Sequence, residues 1–340
     1  MPPILNKMIK KKKTTSKIVV IGGGTGSYTV LVGLKNLPLS LTSIVTMMDS
    51  GGSSGRLRDE LGTLPPGDIR QSIIALSTDI NTNLALRKLF DYRFTNGSGL
   101  EGHNFGNLFV GALTKTTGSM DKAVNAISKI FNVKGNVLPV TLDDSHLVAA
   151  YSDGEIIRGE HNIDEPKFRK PKRIKKVWLD PQAHAFSGAL AAIKEADLIV
   201  LGPGDLFTSL IANLCVEGIA NAIRASKAKK AYIVNLMTKF GQTDNFGVRE
   251  HVKEIEKYLG AKLDFILINR EKLPADILER YKLERGYPVI DNLEKNHYVI
   301  IRTDLLGTSP VKKIEGDTLK RSLIRHSPTK LAIVLYRILK

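Results

Sequence analysis

Cysteine is nearly absent from this 340-residue chain. The lone Cys215 excludes an intramolecular disulfide and any thiolate cluster for zinc or iron–sulfur chemistry, a count that fits a reducing compartment. Its place in the apolar stretch Leu210 to Ala222 reads as a small buried hydrophobe rather than a reactive thiol. Also missing is any apolar run near the ~20 residues that a membrane-spanning helix needs, so no membrane insertion is expected. Lys10 to Lys13 resemble the basic start of a signal peptide, but the apolar piece after them, Ile18 to Ile21, is too short for one. No repeat of fixed period appears, which excludes solenoids and propellers. The P-loop signature is absent, which argues against a P-loop NTPase, and so are H-E-x-x-H and G-x-S-x-G. His146, His161, His184, His251, His297 and His326 show no metal-ligand spacing, and no metal site is assigned. Asp143 and Asp144 are adjacent, so on a strand they point to opposite faces and form no carboxylate pair.

What is present is an ordinary globular composition, 42% hydrophobic and 25% charged, with a net charge of +16. Such a charge raises a nucleic-acid hypothesis, but acids are missing only locally. Residues 1–17 hold six lysines and no acid, and 167–176, KFRKPKRIKK, hold seven Lys or Arg and no acid. Thirteen of the sixteen excess charges thus sit in two tracts, which read as solvated segments rather than a docking face. Residues 1–16 read as a disordered basic tail.

From Lys17 the chain alternates strand, glycine loop and helix. KIVVI runs into GGGTG and a helix; LTSIVTMM runs into DSGGSSGRLR; ADLIVLG runs into GPGDLFTS and one long helix, LIANLCVEGIANAIRAS. Alternation of this kind predicts an α/β fold, Rossmann-like, in three layers around a mainly parallel sheet. A largely helical segment follows the second strand, over 66–130. A small β-rich insertion is expected at about 137–180, with a hairpin turn at Ser152-Asp153-Gly154, inside a single domain spanning 17–340. HYVIIRTDLL reads as a last strand and TKLAIVLYRIL as a closing helix.

In such a sheet ligands sit beyond the carboxyl ends of the strands. Gly22, Gly23, Gly24, Thr25 and Gly26 offer unshielded amides at a helix N-terminus, which suits a phosphate. A dinucleotide fingerprint would put its third glycine where Ser27 stands; Asp49 could serve as the ribose acceptor, which keeps NAD and an oxidoreductase in play, while close helix–strand packing alone also explains the glycines. Asp49, Gly51, Gly52, Ser53, Ser54 and Arg56 combine a carboxylate, hydroxyls and a guanidinium able to grip a phosphate. Asp68 is a ligand contact or a helix N-cap. His103, Asn104 and Asn107 suit a phosphate or a sugar hydroxyl. Gly202, Gly204 and Thr208 form a second anion cradle or a plain strand-to-helix turn.

These blocks, IVVIGGGTGSYTVLVGLK, then IVTMMDSGGSSGRLRDELGTLPPGDIRQSIIALS, GHNFGNLFVGALT, ADLIVLGPGDLFTSLIANLCVEGIANAI, YIVNLMTKFGQTDNF and IRHSPTKLA, resemble in order those of the gluconeogenesis factor family (YvcK-like, UPF0052), related in fold to 2-phospho-L-lactate transferase (CofD-like). The resemblance implies a cytoplasmic, Rossmann-like protein that binds UDP-N-acetylglucosamine or UDP-glucose and supports cell shape and envelope synthesis during gluconeogenic growth, with no settled catalysis. It implies nucleotide contact for Arg325, and envelope-synthesis proteins as partners. The related transferases move a phospholactyl group from a guanosine diphosphate adduct to a deazaflavin and release GMP, usually with Mg2+, which this chain needs only if it is a transferase. Two positions depart from the family: Ser50 replaces a second Asp after Asp49, and Ser327-Pro328 follows Arg325-His326 where the family has Asp. Catalytic residues are unassigned. A homo-oligomer through the apolar closing helix is compatible with the pattern.

Overall fold

A computed structural model describes residues 15–78, 84–307 and 323–340. The expectation for the basic tail therefore lies outside the described residues up to 14, while Ser16 already belongs to the first strand. Seven strands form one sheet: β1 Ser16–Gly22, β2 Leu39–Val45, β3 Asn136–Pro139, β7 Leu198–Leu201, β8 Lys229–Ile233, β9 Phe265–Asn269 and β10 Val299–Thr303. Their order is β10-β9-β8-β7-β1-β2-β3, and every neighbouring pair is parallel. The Rossmann-like reading of the alternation is borne out.

Apolar runs without alternation make central strands buried on both faces. Ile18, Val20, Ile21, Leu198, Ile199, Val200 and Leu201 are fully buried. Each such side chain contributes ~1.5–3 kcal/mol by leaving water. The sheet's centre thus carries the stability, and its rim can hold groups that are unfavourable there. The chain winds outward from β1 through β2 and β3, then returns to β7 on the other side of β1. A topological switch point therefore lies between β1 and β7.

The small sheet holds three antiparallel strands, β4 His146–Tyr151, β5 Ile156–Arg158 and β6 Ile174–Asp180, in the order β5-β4-β6. The turn at 152–154 joins β4 to β5 as expected, with Gly154 at φ 91°. Two boundaries differ from the sequence reading. Residues 137–139 of the expected insertion pair with β2 in the main sheet, where Val137 and Pro139 are buried at its edge. The long helix after β7 is broken: a π-helical segment Leu206–Ile211 continues as Ala212–Leu214, and Ile219–Ala225 starts afresh after Gly218 at φ 97°. A further helix, Ala275–Leu283, buries only Tyr281 and has too weak an apolar stripe to be legible.

Arg58 ties the small sheet to the main body. Its guanidinium, 5% exposed, bonds to Asp144 and donates to the Ser145 carbonyl at 2.6 Å. Between β5 and β6, a short helix, Glu160–Asp164, folds back against the π segment after β7. The insertion thereby reaches the carboxyl rim. Cys215 is half-buried rather than buried, its thiol facing the Val177 carbonyl at 3.7 Å and pushed up to about 12 by desolvation. Among the described residues no helix is long and apolar enough to cross a membrane.

Candidate functional site

All the glycine loops named above that follow parallel strands lie on one rim. The helix Gly24–Leu34 opens directly after β1 with no side-chain cap of its own. Its first amide instead meets a distant carboxylate: Gly24 N donates to Asp68 Oδ1 at 2.8 Å. Asp68 is not an N-cap, since Pro66 holds that position of the helix Gly67–Leu76. It sits in the first turn, where the helix dipole favours its charge, and reaches across to the neighbouring loop. A backbone amide and a carboxylate 44 residues apart in sequence are thereby set together.

After β2, Asp49 Oδ1 accepts from Gly51 N at 2.9 Å, and its carboxyl also bonds to Ser54. Burial pushes this carboxyl above its usual range, against those two hydrogen bonds. Gly52, at φ 47°, is exposed and opens the helix Gly52–Leu61. Ser53 and Ser54 turn inward. Ser53 Oγ lies 3.1 Å from His103 Nδ1 and accepts from Asn104 N, and Ser54 Oγ accepts from Asn107 Nδ2 at 3.3 Å. Asn104 caps the helix Phe105–Thr117 through Asn107 N. His103 and Asn104 are each 2% exposed. The structure thus places His103, Asn104 and Asn107 beneath the second loop as its support, with their polar atoms bonded to the chain itself. Burial lowers the His103 pKa further. Arg56 is exposed and donates to the Glu101 carbonyl at 2.9 Å.

After β7, Gly202 adopts φ 78°, and Gly204 exchanges hydrogen bonds with the Asn235 side chain at the end of β8. Thr208 is 1% exposed, and its hydroxyl donates to Asp164 Oδ1 at 3.2 Å. Arg325 lies farther along the same rim, next to His326, whose ring bonds to the Val234 backbone just past β8. The Arg325 carbonyl accepts from Gly307 N at 2.9 Å.

Residues that the sequence reading left out complete the centre of this rim. Lys239, from the loop after β8, bonds to Asp164 of the insertion and to Asp205 Oδ2 at 2.8 Å. Gln242 Nε2 donates to the same Asp164 Oδ1 at 3.0 Å. Burial opposes the charge on Lys239, but Asp205 and Asp164 outweigh it and hold the ammonium above the ordinary lysine range. Asp164 is held below the usual range by Lys239 despite its burial; Asp205 is raised, burial outweighing the same lysine. Glu160 lies beside them, and burial together with the charges of Asp49 and Asp164 raises its pKa well above the usual value. Solvent still reaches 22% of the Asp164 side chain, 38% of Asp205 and 32% of Lys239. These groups form a partly exposed charged cluster on the rim. The signal for Lys239 and Gln242 was the polar NLMTKFGQTDNF run after a buried strand; Glu160 and Asp164, inside a β-type insertion, gave none.

Glu160 should cost stability at neutral pH. Its folded pKa is raised above the ordinary 4.5, so the folded state binds the extra proton and stability falls as pH rises from 4.5 through that folded value. We expect Glu160→Gln to stabilise the protein by about 1 kcal/mol at pH 7 and by nothing at pH 4, as measured by denaturant unfolding. Equal effects at the two pH values would contradict the placement of this charge.

Among the described residues no three His, Cys, Asp or Glu side chains converge as metal ligands. The chemistry on the rim is hydrogen bonding: amides of Thr25 and Gly26 at partly exposed positions of a helix start, with carboxylates nearby that accept from hydroxyls.

The fold and the rim define a Rossmann-like α/β protein whose glycine loops and charged side chains gather at the switch point of a parallel sheet. The profile of the 2-phospho-L-lactate transferase CofD family matches residues 18–306. The gluconeogenesis factor of Bacillus subtilis is 40% identical over 324 residues, covering 94% of this chain and 96% of that protein. That of Halalkalibacterium halodurans is 43% identical over 307 residues, covering 87% and 93%. A solved structure of a UPF0052 protein from Bacillus halodurans superposes with a TM-score of 0.85 at 36% identity, covering 95% of this chain and 99% of that one. The chain belongs to the CofD/UPF0052 family, among the gluconeogenesis factors.

Proposed function

We propose that this gluconeogenesis factor binds a UDP-sugar, UDP-N-acetylglucosamine or UDP-glucose, across this rim and acts as a cytoplasmic regulatory protein that returns its ligand unchanged. The observation that carries this reading is the meeting of the β1 and β7 loops at the switch point, where Gly26 lies against Pro203, with the helix-start amides of Thr25 and Gly26 on one side and the carboxylates of Asp49, Glu160 and Asp205 on the other. Amides at a helix N-terminus stabilise a diphosphate; carboxylates repel it but accept from ribose and sugar hydroxyls. A nucleotide sugar matches both halves, whereas a bare diphosphate matches one. No cofactor is required. The role in cell shape and envelope synthesis that the family resemblance implies accompanies this reading, with envelope-synthesis proteins as partners.

Calorimetry with UDP-N-acetylglucosamine tests it. We expect saturable binding and recovery of intact ligand after long incubation; no heat at millimolar ligand with folded protein would overturn the reading. The matched transferase profile favours a second one, in which the phosphorus–GMP bond of a guanosine-linked phospholactyl donor breaks as a deazaflavin hydroxyl bonds to that phosphorus. GMP release that depends on the deazaflavin would select it.

A further inference from the structure

Residues 167–176 carry seven Lys or Arg and no acid. In the fold Lys172 is answered by Asp153 and Glu155. Lys167, Arg169, Lys170, Arg173, Lys175 and Lys176 are all exposed, and none of the six makes an ion pair among the described residues. Like charges set so close repel one another, and an anionic partner would relieve them.

An exposed apolar segment lies against this tract. Leu283 is 86% exposed, Tyr287 54% and Ile290 71%. Between them Arg285 donates to the Arg169 carbonyl at 2.8 Å. Farther on, the Ile290 carbonyl accepts from Val248 N at 3.0 Å, two residues from Phe246, whose ring lies 5.6 Å from the Arg173 guanidinium. The segment 283–290 therefore follows the tract from Arg169 to Arg173. Its backbone is pinned: Thr238 N donates to the Tyr287 carbonyl at 2.7 Å, and Val289 N to the Leu236 carbonyl at 3.1 Å. Tyr287 and Ile290 are thus held in water by the fold itself. Of its charges, Glu284 is matched by Arg285. Apolar side chains grouped beside a basic surface mark an interaction site.

Four kinds of partner can be weighed. A nucleic acid would engage the cations and leave Leu283 and Ile290 without a role. A second copy of the chain, docked symmetrically through the same patch, would set the six cations against themselves. An acidic peptide needs a groove, and the pocket of about 280 Å³ between the tract and the loop after β8 has Asp244 and Glu250 in its wall, which repel one. An anionic bilayer matches both features, since its headgroups take the cations while Leu and Ile enter the acyl boundary and Tyr stays at the interface. We propose that the surface formed by residues 167–176 and 283–290 docks this protein on an anionic lipid membrane, with the chain lying on the bilayer and no segment crossing it. This site is separate from the sheet rim, and the inference does not rest on the nucleotide-sugar reading.

Co-sedimentation of the full chain tests it, with vesicles of phosphatidylcholine alone or with about one third phosphatidylglycerol, over a series of salt concentrations. One variant combines Lys170→Gln, Lys175→Gln and Lys176→Gln; a second combines Leu283→Gln and Ile290→Gln. All five side chains are exposed, so both variants should fold, as thermal melts would check. We expect wild type to bind the anionic vesicles at least about tenfold more tightly than phosphatidylcholine. The charge variant should lose about tenfold or more, with a shallower dependence on salt. The apolar variant should lose about fivefold while keeping the salt dependence of wild type. No binding by wild type, or equal binding to the two kinds of vesicle, would overturn the proposal whatever the variants do. Either variant binding as wild type does would overturn it too, the first by handing the charge contribution to the lysines of residues 1–17. A duplex oligonucleotide bound more tightly than the vesicles, and equally by wild type and the apolar variant, would overturn it in favour of nucleic acid.

Discussion

Replacing Gly26 by alanine should destabilise the protein by about 3 kcal/mol and abolish ligand binding, because the new Cβ would be driven into the carbonyl of Pro203. The obstacle is backbone on both sides. The Pro203 peptide follows β7 directly and cannot swing away like a side chain, so either the helix Gly24–Leu34 or the β7 loop must retreat. These two loops flank the switch point, so the retreat of either displaces the helix-start amides proposed to hold the diphosphate. Gly24→Ala is the natural control. Its Cβ meets nothing within 4 Å, and only the φ of 59° penalises it, at about 1 kcal/mol. Urea unfolding and calorimetry on both variants check the contrast. Equal costs would mean that close approach is not what position 26 demands.

The second large effect is expected at Lys239. It is the ammonium that both Asp164 and Asp205 use, and Glu160 and Asp49 add further negative charge nearby. Lys239→Ala should cost about 2 kcal/mol at pH 7, less than a fully buried pair because water reaches the cluster. The effect should shrink in acid. In wild type the depressed pKa of Asp164 stabilises the fold above its ordinary 3.8 and is lost as pH falls through the lower folded value. In the variant that carboxyl, like Asp205 and Glu160, is raised instead, and protonation then favours the folded state. Curves measured from pH 7 to pH 4 should converge. Adding Asp164→Asn to Lys239→Ala should recover part of the loss, since neighbours in one network are not additive. A difference constant with pH would mean that the lysine acts by packing alone.

Much of the architecture was legible because its signals are local. Val19 and Ile199 belong to apolar runs that end in glycine, and a run of that kind followed by a helix can only build a parallel layer. The glycine loops were legible for the same reason. The partners of their side chains were not. Asp68 reads in sequence as a ligand contact or a cap, and only the packing of Gly67–Leu76 beside Gly24–Leu34 turns its carboxylate to Gly24. His103 and Asn104, flanked by glycines, look exposed and available; the helix they begin buries them under Ser53. Glu160 and Asp164 lie in a stretch whose β-type pattern says nothing of a helix that returns to the rim.

Read along the chain, strand, glycine and helix determine the kind of sheet, the hand of its crossovers and the edge at which loops gather, since each depends on residues a few positions apart. Which charges share that edge is decided only when the β4–β6 insertion folds over it and the β8 loop swings in Lys239, because a carboxylate's pKa and partners depend on neighbours in space. Those neighbours come from residues 49, 160, 164, 205 and 239, brought together by burial of an apolar core that is indifferent to them.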